Sequence, residues 1–152
     1  MSRVALFLSL ILISSSSFSQ SRRPPKDKHL DKKSFHTELT EVKKKKSVTV
    51  EDEISFRSGK MGSKFMQYDQ GFYKGEYAII DKTDIDGDLI LNFQAINRNS
   101  KGQSLKWEGR IFGSRVEGTA IVSKNGKIKK HYEFVGELKV RGKKRKPITS
   151  QQ

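Results

Sequence analysis

The chain contains no cysteine among its 152 residues. This absence excludes disulfide bonds, a thiol nucleophile and any metal site built on thiolates. The sequence also lacks an Asn-x-Ser/Thr acceptor for N-glycosylation. A small domain with these properties must be stabilised by its hydrophobic core. The two absences together are untypical of secreted eukaryotic domains and fit a bacterial protein better.

Histidine and the motifs of common enzymes are also scarce. Of three histidines, only His131 lies outside the polar N-terminal region, and its lysine neighbours predict an exposed strand position. No G-x-S-x-G elbow is present, and Ser58-Gly59-Lys60 lacks the flanking residues of a phosphate-binding loop. The acidic segment 81–88 lacks oxygen ligands at the first and twelfth positions of a calcium loop, where Lys82 and Phe93 stand. We therefore predict no catalytic residue, no metal site and no cofactor.

A long hydrophobic run occurs only at the N-terminus. Arg3 is followed by the apolar stretch Val4 to Ile13, broken only by Ser9, and then by residues that are small, apart from Phe18, up to Ser19. This order is typical of a cleavable export signal, so we expect residues 1–19 to be a signal peptide cleaved near Ser19 and Gln20. The run is about half of the roughly 20 residues that span a bilayer. We therefore expect a protein exported to the periplasm or the exterior, without a permanent membrane anchor once cleaved.

The net charge of +14 is concentrated near the two ends of the chain. Residues 20–50 hold ten Lys/Arg against four Asp/Glu, and residues 141–152 hold five against none, whereas the segment between them is nearly neutral. Such runs predict extended, solvated segments. We interpret residues 20–47 as a basic, mostly flexible linker, with a short helix as an option because of the spacing of its apolar residues, Leu30, Phe35, Leu39 and Val42. Residues 141–152 are expected to be a disordered basic tail.

These basic clusters suggest contact with a polyanion such as an anionic membrane surface or an acidic glycan. The alternative is that they only keep the chain soluble. Nucleic acid is not expected as a partner, because aromatic and basic residues do not interleave densely on one motif. The candidate contact residues are Lys43, Lys44, Lys45, Lys46, Lys143, Lys144, Arg145 and Lys146.

Residues 48–140 read as a β domain. Apolar and polar residues alternate with the period of a half-buried strand, for example at Leu89, Leu91, Phe93 and Ala95. Turn signals such as Asn125-Gly126 separate these runs at close spacing and favour tight hairpins. The fold class is therefore predicted to be all-β, an antiparallel meander of six to eight strands.

A glycine recurs between two inward-facing positions in four of these strands. Glycine weakens a strand, so its repeated use indicates a geometric need such as the sharp bends of a small barrel. A closed or nearly closed barrel is thus favoured over a flat sheet or a sandwich with bulges. The glycines are Gly75, Gly109, Gly118 and Gly136.

The meander, the glycine-bent strands and the single Trp107 resemble the small exported barrels of the lipocalin and avidin type. The resemblance implies a ligand site at the open end of the barrel, and Trp107, Tyr77 and Tyr132 are the candidates to line it. We therefore expect a non-catalytic binding or interaction module that takes a small apolar ligand in its barrel or an anionic surface on its basic segments. The alternatives are an envelope hydrolase that acts on glycan through a carboxylate pair, and a structural envelope protein without a ligand.

Overall fold

A computed structural model describes residues 27–140, in which eight antiparallel strands close into a barrel in the order of the chain. This architecture confirms the predicted all-β meander. A single short helix of the described residues, α1 (Lys64–Tyr68), lies between the third and fourth strands. The strands are β1 (Ser34–Glu41), β2 (Val48–Arg57), β3 (Lys60–Ser63), β4 (Gly75–Ile85), β5 (Asp88–Arg98), β6 (Ser104–Phe112), β7 (Arg115–Lys124) and β8 (Lys127–Leu138).

Strand β1 closes the barrel, because it pairs with β2 on one side and with β8 on the other. The predictions that residues 20–47 form a flexible linker with an optional helix, and that the domain starts at residue 48, are therefore wrong for Ser34–Glu41. Phe35, Thr37 and Leu39 are buried while His36 and Glu38 between them are exposed, which is the period of a strand. The helix-like spacing of the apolar residues is incidental.

The turn before β1 belongs to the domain as well. Leu30 is fully buried in the core, and the backbone amides of Lys32 and Phe56 donate hydrogen bonds across this segment to the carbonyls of Phe56 and Lys33. The side chain of Asp31 accepts a hydrogen bond of 2.7 Å from the amide of Ser58 in the β2–β3 turn. The N-terminal turn thus covers the end of the barrel at which β1 begins.

Large and small side chains alternate across the inner wall. One row of paired positions runs through five neighbouring strands, β4 to β8, as Tyr77, Ala95, Trp107, Ala120 and Tyr132. All five are buried. Such alternation lets the aromatic rings fill the space that the alanines leave, as expected for a packed barrel interior.

The seam between β3 and β4 is short, with two paired positions, Lys60 with Glu76 and Met61 with Gly75. Beyond it, the buried amide of Asn97 donates hydrogen bonds to the carbonyls of Met61, at 3.0 Å, and Tyr73, at 2.7 Å. Asn97 therefore supplies, from β5, the contacts that a longer β4 would have made.

Three predictions from the sequence concern parts of the chain outside residues 27–140. They are the signal peptide over residues 1–19, the disordered basic tail over residues 141–152, and the four contact candidates within that tail, namely Lys143, Lys144, Arg145 and Lys146. Between residues 27 and 140, no helix has the length and hydropathy to cross a bilayer.

Candidate functional site

Two lysine-rich segments that are far apart in the sequence lie side by side at one end of the barrel. The first is the connection between β1 and β2, residues 42–47, and the second is the β7–β8 hairpin. The pairing of β1 with β8 places Glu41 opposite Tyr132, and the amide of Val42 extends this ladder by donating to the carbonyl of His131 at 2.8 Å. The closure of the barrel therefore joins the two segments into one surface.

The β7–β8 hairpin turns at Asn125 and Gly126, with φ angles of 52° and 72°. Positive φ at both central residues is the geometry of a tight two-residue hairpin turn, and Asn-Gly is the pair that adopts it most readily. The turn sets Lys124 directly opposite Lys127. Like charges in opposed positions destabilise a sheet, so the pair of Lys124 and Lys127 does not stabilise the fold.

A bulge follows immediately in β8. Val122 pairs with Lys130, but the next residue, Ser123, pairs with Ile128, so Lys129 has no partner across the strands. One extra residue reverses the in–out alternation of the strand. Ile128 lies four residues before the buried Tyr132, so strict alternation along the strand would place both on the same face. Because of the bulge, Ile128 is 67 % exposed instead.

Eight lysines and three exposed apolar residues form this surface, which we call the lysine end. Seven of the lysines are exposed and Lys130 is half-buried. Within the described part of the chain, the ion pair that involves these lysines joins Lys43 to Glu41 at 3.3 Å. The members of the lysine end are Lys43, Lys44, Lys45, Lys46, Lys124, Lys127, Lys129, Lys130, Val42, Val48 and Ile128.

Two groups of exposed carboxylates are located elsewhere on the barrel. The outer wall formed by β1, β2, β7 and β8 carries five exposed glutamates, and the β4–β5 hairpin at the opposite end carries four exposed aspartates. The opposite end of the barrel therefore carries both signs of charge, since Lys28, Lys32, Lys33 and Lys82 are exposed there as well, whereas lysines dominate the lysine end. These acidic residues are Glu38, Glu51, Glu117, Glu133, Glu137, Asp81, Asp84, Asp86 and Asp88.

The predicted ligand-pocket residues are part of the packed core. Trp107 is fully buried and makes an edge contact with Phe134, with ring centroids 5.4 Å apart, and Tyr77 makes a similar contact with Phe56 at 5.0 Å. Burial, reinforced by nearby carboxylates, raises the pKa of both Tyr77 and Tyr132 to about 12. These phenols therefore stay neutral at physiological pH, as buried side chains require.

The grooves of the structure lie along the outer wall of the barrel. One of about 420 Å³ runs beside Gly136, and its charged lining is mostly acidic, with Arg115 among Glu38, Glu51, Asp52 and Glu137. A glycosidase acid needs a carboxyl with a raised pKa. Glu53 of β2 is not part of the lining of this groove, and the hydrogen bond from Lys64 lowers the pKa of its carboxyl. Within residues 27–140, no three His, Cys, Asp or Glu side chains are grouped as metal ligands.

The structure places Lys43, Lys44, Lys45 and Lys46, the cluster recognised from the sequence, at the lysine end. Sequence reasoning missed the four lysines of the β7–β8 hairpin as part of a site. Their density around Asn125-Gly126 is the signal that could have found them, but their position beside the first cluster depends on the pairing of β1 with β8.

Comparisons with protein-family models, with curated proteins and with solved structures gave no match.

Proposed function

We propose that this protein is an exported, non-catalytic module that binds an anionic surface through its lysine end. The observation that carries the proposal is the convergence of two lysine clusters on one end of the barrel. Eight lysines share this end, and Glu41 is paired with only one of them, so their charges act together on whatever approaches it.

The energetics of such a surface are favourable for binding. A lysine close to an anionic surface contributes about 1 kcal/mol, and the interaction decays over a Debye length of about 8 Å at physiological salt. Eight lysines at one end of the barrel can place several ammonium groups within that distance at once. The glutamates of the outer wall are repelled by the same surface, which would orient the barrel with its lysine end toward the partner.

The packed interior supports this mode of binding over the one that the lipocalin and avidin resemblance suggests. In those barrels the ligand lies inside, whereas here Trp107, Tyr77 and Tyr132 occupy the interior themselves. The predicted signal peptide over residues 1–19 supports a partner outside the cytoplasm, in the periplasm or at the cell exterior.

The test is retention on immobilised heparin, a soluble polyanion, eluted with a salt gradient. Lys44, Lys45, Lys127 and Lys129 are changed together to Gln in the full chain. We expect this variant to elute at clearly lower salt than the unmodified protein, because four surface-contacting charges are lost.

A matched variant controls for net charge. Lys28, Lys32, Lys33 and Lys82 are exposed on the opposite end of the barrel, and their replacement by Gln removes the same number of charges. It should elute close to the unmodified protein, with both variants retaining the β-sheet circular dichroism spectrum. Equal shifts for the two variants would mean that net charge alone governs retention, and the proposed function would be wrong.

A further inference from the structure

We propose that the anionic surface is a phospholipid bilayer, and that Val42, Val48 and Ile128 enter its interfacial layer. This inference rests on the proposed function and deepens it by naming the partner. The inference comes from the apolar members of the lysine end. A site that binds a soluble polyanion through charge alone would not need them.

The three apolar side chains are exposed to an extent that the fold does not require. Val42 is 42 % exposed, Val48 is 47 % exposed and Ile128 is 67 % exposed. Val48 lies opposite Glu41 in the β1–β2 pairing, and Val42 follows Glu41 directly. The hydrogen bond from Val42 to His131 brings this pair next to β8, the strand that carries Ile128. The three residues therefore lie on the same end of the barrel.

Lysines surround these apolar residues. Lys127 and Lys129 flank Ile128, and Lys43 follows Val42. Apolar side chains mixed with lysines are the pattern of proteins that lie in a bilayer interface, where the ammonium groups meet lipid phosphates and the apolar groups pass below them. Long lysine stems allow both contacts to form at once.

The opposite end of the barrel offers a contrast within the same molecule. Ile85, at the tip of the β4–β5 hairpin, is 51 % exposed, which is similar to Val48. Its neighbours are Asp84 and Asp86, whose charges an anionic bilayer repels. Exposed isoleucine thus occurs at both ends, and the charges next to it in the sequence suit an anionic bilayer at Ile128 but not at Ile85.

The experiment uses the chain recovered after export from its host, with the N-terminus of every variant determined by intact mass. Binding is measured by co-sedimentation with vesicles of phosphatidylcholine containing about one-third phosphatidylglycerol, and with phosphatidylcholine alone. Val48→Ser and Ile128→Ser are combined in one variant. We expect its affinity for the anionic vesicles to fall about tenfold, with its elution from heparin unchanged, because only the apolar contribution is lost. Ile85→Ser is the matched control and should bind the anionic vesicles and heparin as the unmodified protein does.

A second variant is designed to bind the vesicles more tightly instead of more weakly. Ile128→Trp should raise the affinity for anionic vesicles several-fold, because indole favours the bilayer interface. The emission of the introduced tryptophan should also shift to shorter wavelength when the vesicles are added. Trp107 is fully buried in the core, so its emission provides a constant background.

The outcomes separate the two proposals. One outcome is that the four-lysine variant loses retention on heparin as expected, while the serine variant binds the anionic vesicles as tightly as the unmodified protein. If the emission of the Ile128→Trp variant also does not shift, binding is electrostatic only. The bilayer proposal is then wrong, while the proposed function stands. If the four-lysine variant shows no loss on heparin, the proposed function fails and the bilayer proposal fails with it.

Discussion

At the scale of single residues, the inner wall of the barrel depends on two glycines that face each other across β6 and β7. Gly109 pairs with Gly118, and the rings of Phe93 and Phe134 occupy the space that their side chains would have filled. A Cβ on Gly118 would overlap the carbonyl oxygen of Glu108, which is fixed backbone and cannot rotate away. The two glycines therefore allow β6, β7 and the rings of Phe93 and Phe134 to approach one another closely.

This geometry predicts a large effect of one methyl group. Gly118→Ala should lower the free energy of unfolding by about 3 kcal/mol or more, because the added atom overlaps the backbone and the ring of Phe134. Urea denaturation followed by Trp107 fluorescence measures the change. Glu117→Ala, at the exposed neighbouring position, should alter stability by no more than about 0.5 kcal/mol. A small effect at Gly118 would show that the strands can move apart there.

These glycine positions are predictable from the sequence because a glycine inside a strand is unusual wherever it occurs, and four of them fall between inward-facing positions. The orientation of Ile128 cannot be predicted in the same way. Its exposure results from the bulge at Lys129, and a bulge changes the pairing without changing the composition of the strand. Local alternation then gives the wrong face for the residues beyond it.

At the scale of elements, Glu53 of β2 connects two parts of the chain that follow it. Its Oε2 accepts a hydrogen bond of 2.8 Å from Lys64, at the start of α1, and one of 3.0 Å from Lys139, just after β8. The hydrogen bond from Lys64 is the main cause that lowers the pKa of Glu53 below its usual value of 4.5; burial opposes it and Lys139 lowers the pKa further.

The lowered pKa predicts a contribution of Glu53 to stability that depends on pH. Above about pH 4.5 the carboxylate is ionised in both states, and its ion pairs stabilise the folded state in full. As the pH falls below this value, the unfolded chain binds the proton first, so the contribution decreases and is lost once the pH is below the folded pKa. Between about pH 6 and pH 3, the urea midpoint of Glu53→Gln should therefore fall less than that of the unmodified protein. Parallel curves would show that these ion pairs do not stabilise the fold.

Strand β1 shows where prediction of elements from sequence reaches its limit. Strands β5 to β8 contain long runs of apolar residues in alternation and are recognisable from the sequence. In β1 the buried Thr37 interrupts the apolar face, and lysines on both sides of the strand give the segment the composition of a linker. Its conformation is set by β2 and β8, and neither of these contacts is visible in the local sequence.

At the scale of the whole molecule, the closure of the barrel creates the candidate site. Lys43 to Lys46 are recognisable as a cluster, but the sequence pattern assigns them to a linker that could lie anywhere. Once β1 pairs with β8, the cluster lies beside the lysines of the β7–β8 hairpin and away from the aspartates of the β4–β5 hairpin. Closure of the barrel thus concentrates positive charge at one end of the molecule, where lysines that follow the first strand of the domain lie together with those of the last hairpin.

Because the site depends on closure, the contribution of β1 to the fold can be tested by one core substitution in the full chain. Leu39 is fully buried and is paired with Val50 on β2 and Phe134 on β8. Leu39→Ala should lower the free energy of unfolding by about 2–5 kcal/mol through lost burial and the cavity left behind. Val42→Ala, just past the end of the strand, should change it by less than about 1 kcal/mol because that side chain is 42 % exposed. A flexible linker would make both substitutions neutral in urea denaturation, so equal midpoints for the two variants would contradict the closed barrel, and with it the joining of the two lysine clusters.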